Sequence, residues 1–261
     1  MLDMDGTFFL GNKLLPGALE LLDFLNRKGT PYRFLTNNSS KSQAEYIEKL
    51  VGLGVDRSDA NIVTSGDATI QYLLKNFDTT RIFLIGTPGL EEAFSLQGFK
   101  LVDKNPDLVV LGFDTTLTYE KLRKLCQFVA AGLPFIATHP DINCPTPTGF
   151  IPDIGSMLAL VKASTGREPD IIIGKPNPIM LDMLEEKMSL KAEELAMVGD
   201  RLYTDIALGQ TAGVTTVLVL SGETKREDLE ESPFKPDYVF EGLPELLKAL
   251  NSDSSKLKVE S

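Results

Sequence analysis

Apolar residues in this chain come in short runs that polar residues close. The runs occupy 32–36, 61–64, 81–86, 107–113, 133–138, 170–174, 195–199 and 214–220, and runs of that length read as buried strands. Between them apolar positions recur at helical spacing, as Ala44, Ile47, Leu50 and Val51 do after Ser39 and Ser40, whose hydroxyls suit a helix N-cap. Strand alternating with helix predicts an α/β fold with parallel sheets covered on both faces. In such sheets ligands gather beyond the carboxyl ends of the strands, so polar residues that follow an apolar run are where chemistry belongs. No repeat of fixed period is found, and segment 252–261 is polar without an apolar face, which predicts a mobile tail.

A chain of 261 residues suits one core plus a smaller second module. Its apolar fraction of 43% and charged fraction of 24% are ordinary, and no run nears the roughly 18 apolar residues of a membrane helix. The start lacks the basic and apolar stretches of a signal peptide, which places the protein in the cytoplasm with no membrane partner. A net charge of -11 argues against a nucleic-acid partner. It leaves room for a small anion where a metal and a lysine reverse the local field. With His139 as the sole histidine, a multi-histidine metal centre is excluded, and acid–base chemistry falls to carboxylates. Cys126 and Cys144 fit neither a disulfide framework nor a zinc motif and read as unpaired thiols.

Four strand ends carry candidate chemistry. Asp3-Met4-Asp5-Gly6-Thr7 sets two carboxylates two residues apart, on one side of an extended backbone, before a glycine that permits a sharp turn. Taken alone it is equally ordinary turn chemistry. Phe34-Leu35-Thr36-Asn37-Asn38-Ser39-Ser40 ends a strand in hydroxyls and amides ahead of a helix, where free N–H groups hold phosphate; helix capping would also account for the serines. Gly174-Lys175-Pro176-Asn177-Pro178 sets a lysine directly after a strand, with a solvated surface charge as the alternative. Gly199-Asp200-Arg201-Leu202-Tyr203-Thr204-Asp205 closes the series, and Asp205 also suits a helix N-terminus on dipole grounds alone.

The ordered combination is far more specific than its parts. It resembles the haloacid dehalogenase superfamily of aspartate-nucleophile phosphatases, and Thr36-Asn37-Asn38 with Gly174-Lys175-Pro176 resembles its nitrophenylphosphatase-like and NagD-like branch, subfamily IIA. The resemblance implies a Rossmann-like core over 1–77 and 174–251 with an inserted α/β cap over 78–173 that closes on the site. It implies Mg²⁺-dependent hydrolysis of small phosphorylated metabolites. Asp3 would be the nucleophile that takes up the phosphoryl group, and Asp5 the general acid and then base. Thr36 and the Asn37 N–H would hold phosphate, with Lys175 offsetting its charge. Asp3, Asp200 and the Asp5 carbonyl would ligate the metal, and Asp205 would orient its waters. Four carboxylates around one pocket independently call for a hard cation. His139 and Asp141 are candidates to touch the leaving group, with a solvated turn on Pro140 as the alternative, and a homodimer through the cap is a further implication.

One feature departs from the family pattern. A nucleophile of this kind follows an apolar strand of about five or six residues, yet only Met1 and Leu2 precede Asp3. The expectation is a start set artificially late, checked by the intact mass of the natural protein; were the short form the natural one, unpaired backbone groups beside the gap, low stability and weak catalysis would follow. Three rival chemistries share some of the residues. A phosphotransferase or mutase would use the same phosphoaspartate. A dehalogenase-like acyl-enzyme hydrolase would need neither metal nor Asp5, and a phospho-accepting sensor module would need no cap.

Overall fold

The computed structural model describes residues 1–146, 148–188 and 190–252. Beyond Ser252 the expected tail lies outside the described residues. Each of the eight apolar runs contains a strand, and the chain adopts the α/β class with parallel sheets. The residues divide into two compact units.

One unit comprises Met1–Thr36, Ile47–Ile62 and the residues from 184 onward. Ala196–Gly199, Thr215–Val219 and Tyr238–Phe240 form a parallel sheet in that order. Met1 to Asp3 extend it as a stub. The Asp3 N–H donates to Val198 O at 2.8 Å and Val198 N–H to Met1 O at 3.0 Å. On the opposite edge Leu2 N–H donates to Arg33 O at 2.9 Å and Leu35 N–H to Leu2 O at 2.8 Å. The unpaired neighbours expected from sequence are therefore not found at this level, because Leu2 alone bridges Phe34 and Val198. Its side chain is buried, as are Met4, Phe8, Phe34 and Leu35, and the Phe8 ring meets Phe34 edge-on at 4.8 Å.

Two further features of this unit follow from local chemistry. A hairpin of Phe9–Leu10 and Lys13–Leu14 turns through Gly11-Asn12, with Gly11 at φ +60°. The helix Ala18–Lys28 buries Leu21, Leu22 and Phe24 and stops at Gly29, whose left-handed φ of +66° lets its N–H reach Asn26 O.

The other unit comprises Asn37–Tyr46 and Val63–Met183. Its five parallel strands run in the order Ile171–Ile172, Phe135–Ala137, Leu108–Leu111, Arg81–Ile85, Lys100–Leu101. Leu108–Leu111 is buried throughout, as a strand covered on both faces must be. Helices Tyr119–Ala130 and Ile154–Thr165 contribute Leu125, Val129, Ile154 and Val161 to the core with Phe83, Val109 and Phe135. An antiparallel hairpin, Asn143–Thr146 with Gly149–Pro152, carries Cys144 and was not expected. The helix Gln43–Gly52 is capped by neither Ser39 nor Ser40. Ser42 N–H donates to Glu45 Oε2 at 2.7 Å and Glu45 N–H to Ser42 Oγ at 3.3 Å, a capping box that the Ser42-Gln43-Ala44-Glu45 stretch spells out.

Candidate active site

In the first unit the chain leaves Asp3 as strand and turns at once. Gly6 takes φ +91°, and its N–H donates back to Phe9 O at 2.8 Å. Asp5 lies half-buried within this turn. Only a glycine serves at position 6, since a Cβ there would also fall 2.4 Å from Asp200 Oδ2.

Asp3, Asp200 and Asp205 come together. One carboxylate oxygen from each lies within 4.8 Å of the others, and all three residues are buried. Asp200 follows the strand Ala196–Gly199; its Oδ1 accepts from Thr7 Oγ1 at 3.2 Å and its Oδ2 from the Glu223 N–H at 2.7 Å. A π-type turn, Leu202–Ile206, then brings Asp205 back so that its Oδ2 accepts from Arg201 N–H at 3.2 Å. π-turns of this kind recur at functional sites because they redirect one side chain. Gly199 makes room, as its Cβ would sit 2.3 Å from Asp205 Cγ.

Burial pushes the Asp200 carboxyl well above the usual carboxylate range, and the Asp3 and Asp205 charges push it the same way. The Arg201 guanidinium and the Glu223 N–H pull back less strongly. Three buried carboxylates with oxygens within 4.8 Å of one another repel as anions, and a hard divalent cation with oxygen ligands would relieve that repulsion. The donor set therefore suits a metal.

Asp200 is held by a loop absent from the sequence-based list. Ser221 Oγ donates to Gly6 O at 2.8 Å, and Thr224 N–H to Asp200 O at 3.2 Å. Glu223 is tied to Arg201 Nε at 2.9 Å and receives the Tyr203 hydroxyl at 2.8 Å. Gly222 has no room for a side chain, its Cβ position being 2.0 Å from Asp200 Oδ2. Gly222→Ala is expected to displace that carboxylate and weaken binding of a divalent cation by about 10- to 100-fold. Calorimetric titration would show this against an unchanged circular dichroism spectrum, and equal affinity would count against a fixed Asp200. The loop follows the apolar run at 214–220, so the rule that selected the other strand ends applies to it as well.

Thr36, at the end of Phe34–Thr36, is buried in the first unit. In the second unit Asn37, Asp141 and Lys175 meet, all three buried. The Asn37 amide donates to Asp141 Oδ1 at 2.8 Å and to Lys175 O at 2.9 Å. His139 is buried completely, so the solvated-turn alternative at Pro140 does not describe it. Its Nε2 lies 3.0 Å from Asp153 Oδ1, and its Nδ1 lies 3.1 Å from Thr138 Oγ1 and 3.3 Å from Ser65 Oγ. Asp153 also caps the helix Ile154–Thr165. His139, Asp141 and Asp153 offer ligand atoms within 4.8 Å of one another, but hydrogen bonds already engage all three. Among the described residues, neither Cys126 nor Cys144 forms a disulfide. Among the described residues no helix is long and apolar enough to cross a membrane.

Comparison with known proteins agrees with this geometry. Residues 1–100 match the haloacid dehalogenase-like hydrolase family model, and residues 172–246 match a HAD-hydrolase-like model. The chain is 35% identical over 257 residues to an acid sugar phosphatase of Staphylococcus haemolyticus, covering 98% of this chain and 97% of that one. Among solved structures, 4-nitrophenylphosphatase from Thermotoga maritima superposes with a TM-score of 0.92 at 53% identity, over 95% of each chain. NagD from E. coli superposes with a TM-score of 0.86 at 34% identity, over 94% of this chain and 96% of that one. The order of strand-end motifs, the buried carboxylate triad and these likenesses converge: the chain belongs to the haloacid dehalogenase superfamily, in the branch of nitrophenylphosphatase-like and NagD-like phosphatases.

Proposed function

We propose that the protein is a Mg²⁺-dependent phosphatase that hydrolyses small phosphate monoesters by way of a phosphorylated Asp3. The observation that carries the reading is the convergence of Asp3, Asp200 and Asp205 at buried positions, with their oxygens within 4.8 Å of one another. Asp3 attacks phosphorus and the ester oxygen leaves with the proton that Asp5 supplies. Asp5 then takes a proton from water as that water displaces phosphate from Asp3, so each half-reaction conserves charge and protons. Thr36 and the Asn37 N–H hold the phosphoryl oxygens, and Lys175 offsets the negative charge that builds there. Asp3, Asp200 and the Asp5 carbonyl would hold Mg²⁺, with Asp205 orienting its waters. When bound, the ion supplies positive charge against which carboxylate and phosphate can approach each other.

Residues 78–173 are read as the cap on a core of 1–77 and 174–251, with Asp141 the better candidate of the loop to touch the leaving group. Cytoplasmic location and homodimer assembly complete the reading. Sugar phosphates are the first substrate class to try, because relatives at 35–36% identity are acid sugar phosphatases. Phosphate release from 4-nitrophenyl phosphate should be strong in Mg²⁺, fall to background in chelator and return when Mg²⁺ is restored. Release that persists undiminished in chelator would reject the metal-dependent reading.

A further inference from the structure

The Asn37 carboxamide is used on three sides. Its Oδ1 accepts from the Lys175 N–H at 2.8 Å, while its Nδ2 donates to Lys175 O at 2.9 Å and to Asp141 Oδ1 at 2.8 Å. One side-chain amide thereby pairs with both main-chain groups of a single residue, as a neighbouring strand would. Its orientation follows from the partners, because turning it over would set NH₂ against an N–H and oxygen against two acceptors. Gly174 permits the approach: a Cβ there would lie 2.6 Å from Asn37 Oδ1 and 2.7 Å from His139 Cβ.

Asn37 is braced from behind. Ser65 Oγ donates to Asn37 O, the same hydroxyl lies 3.3 Å from His139 Nδ1, and His139 Nε2 lies 3.0 Å from Asp153 Oδ1. Ser65, His139 and Asp153 are all buried, and each is engaged with its neighbour in this chain of contacts. A fully buried polar chain with its groups satisfied makes a stiff support.

We propose that the Asn37 carboxamide is the positioning residue for Lys175, clamping the backbone from which the ammonium is presented, and that Ser65, His139 and Asp153 hold the clamp in place. The proposal rests on the reading of Lys175 as the lysine that offsets phosphate charge. A lysine side chain has four flexible bonds, so the place of its charge is only as well defined as the backbone that carries it. Displacement by about 1 Å at a reacting centre can cost on the order of 10²-fold in rate. The clamp is separate from the Asn37 N–H, which any residue except proline would retain.

A kinetic double-mutant cycle on 4-nitrophenyl phosphate with Mg²⁺ tests it. Lys175→Ala alone should lower kcat by about 10²- to 10³-fold. Asn37→Ala should lower kcat by roughly 10- to 100-fold with a much smaller change in KM. The double variant should be no slower than Lys175→Ala alone, since the clamp has no function once the ammonium is gone. A merely structural role for Asn37 would instead multiply the two losses. Asn37→Asp has the same size and keeps the acceptor while losing both donors, so it should show a similar kcat loss and serves if the alanine variant does not fold. Near-parental kcat in either Asn37 variant, or multiplicative losses in the double variant, would overturn the clamp. Parental kcat in Lys175→Ala would instead refute the role of Lys175, and the clamp would fall with it.

Discussion

Asp3→Asn should lower kcat/KM for 4-nitrophenyl phosphate by at least about 10⁴-fold, as removal of a covalent nucleophile does. The amide is nearly the size of the carboxylate, so packing around a residue only 8% exposed should be retained. What is lost is the anionic oxygen that, in the proposed mechanism, forms the bond to phosphorus. The decisive readout is therefore chemical. Acid quenching of the parent enzyme during turnover should trap phosphate on the protein in a hydroxylamine-sensitive form, as expected of an acyl phosphate. The variant should trap none. Comparable turnover in parent and Asp3→Asn would remove the foundation of the mechanism, and trapped phosphate in the variant would place the nucleophile elsewhere.

Asp200→Asn should move two properties in opposite directions. Activity and Mg²⁺ binding should be lost, because the acidic group on which the site depends becomes neutral. The metal-free protein should nevertheless become more stable at neutral pH. Burial, reinforced by the Asp3 and Asp205 charges, raises the Asp200 pKa on folding, so near neutrality the unfolded chain has released a proton that the folded chain tends to keep. The penalty is absent below the unfolded carboxyl pKa of about 3.9. It grows as pH rises from there through the folded pKa. A tenfold change in a group's proton affinity on folding corresponds to about 1.4 kcal/mol, and in a domain of this size 1 kcal/mol moves Tm by roughly 2–4 °C. Melting curves in chelator should therefore show the parent losing stability with rising pH and Asp200→Asn losing less, while added Mg²⁺ stabilises the parent alone. A variant less stable than the parent in chelator at pH 8 would contradict this reading of the triad.

The central strands were legible because they are largely buried, and burial on both faces writes itself into sequence as an unbroken apolar run. Leu108–Leu111 is buried throughout, and Thr215–Val219 is buried except at Thr215. The missed strands lack that signature. Asn143–Thr146 and Gly149–Pro152 form an exposed ribbon with a proline in each strand, and proline argues against a strand when only sequence is read. Asp153 follows that ribbon, so its partnership with His139 had no sequence signal. The Phe9–Leu10 hairpin was different: Gly11-Asn12 between two short apolar stretches is a recognisable two-residue turn. Ser65 and Glu223 likewise follow apolar runs and could have been found by the strand-end rule. The helix cap was misplaced by three residues or fewer because Ser39, Ser40 and Ser42 all offer hydroxyls, and only the glutamate three positions after Ser42 separates them.

The glycines at 6, 199 and 222 bear on which ion the triad can accept. Around two of the carboxylates the walls are main chain, with a carboxylate atom standing within 2.4 Å of where each missing Cβ would be. Main chain yields less readily than side-chain tips, so the oxygens have little freedom to spread outward. Mg²⁺ bonds oxygen at about 2.0–2.1 Å in a strict octahedron, whereas Ca²⁺ wants about 2.3–2.6 Å and more donors. A pocket stiffened in this way selects by ionic radius, and calcium should be a poor replacement even though its charge is the same.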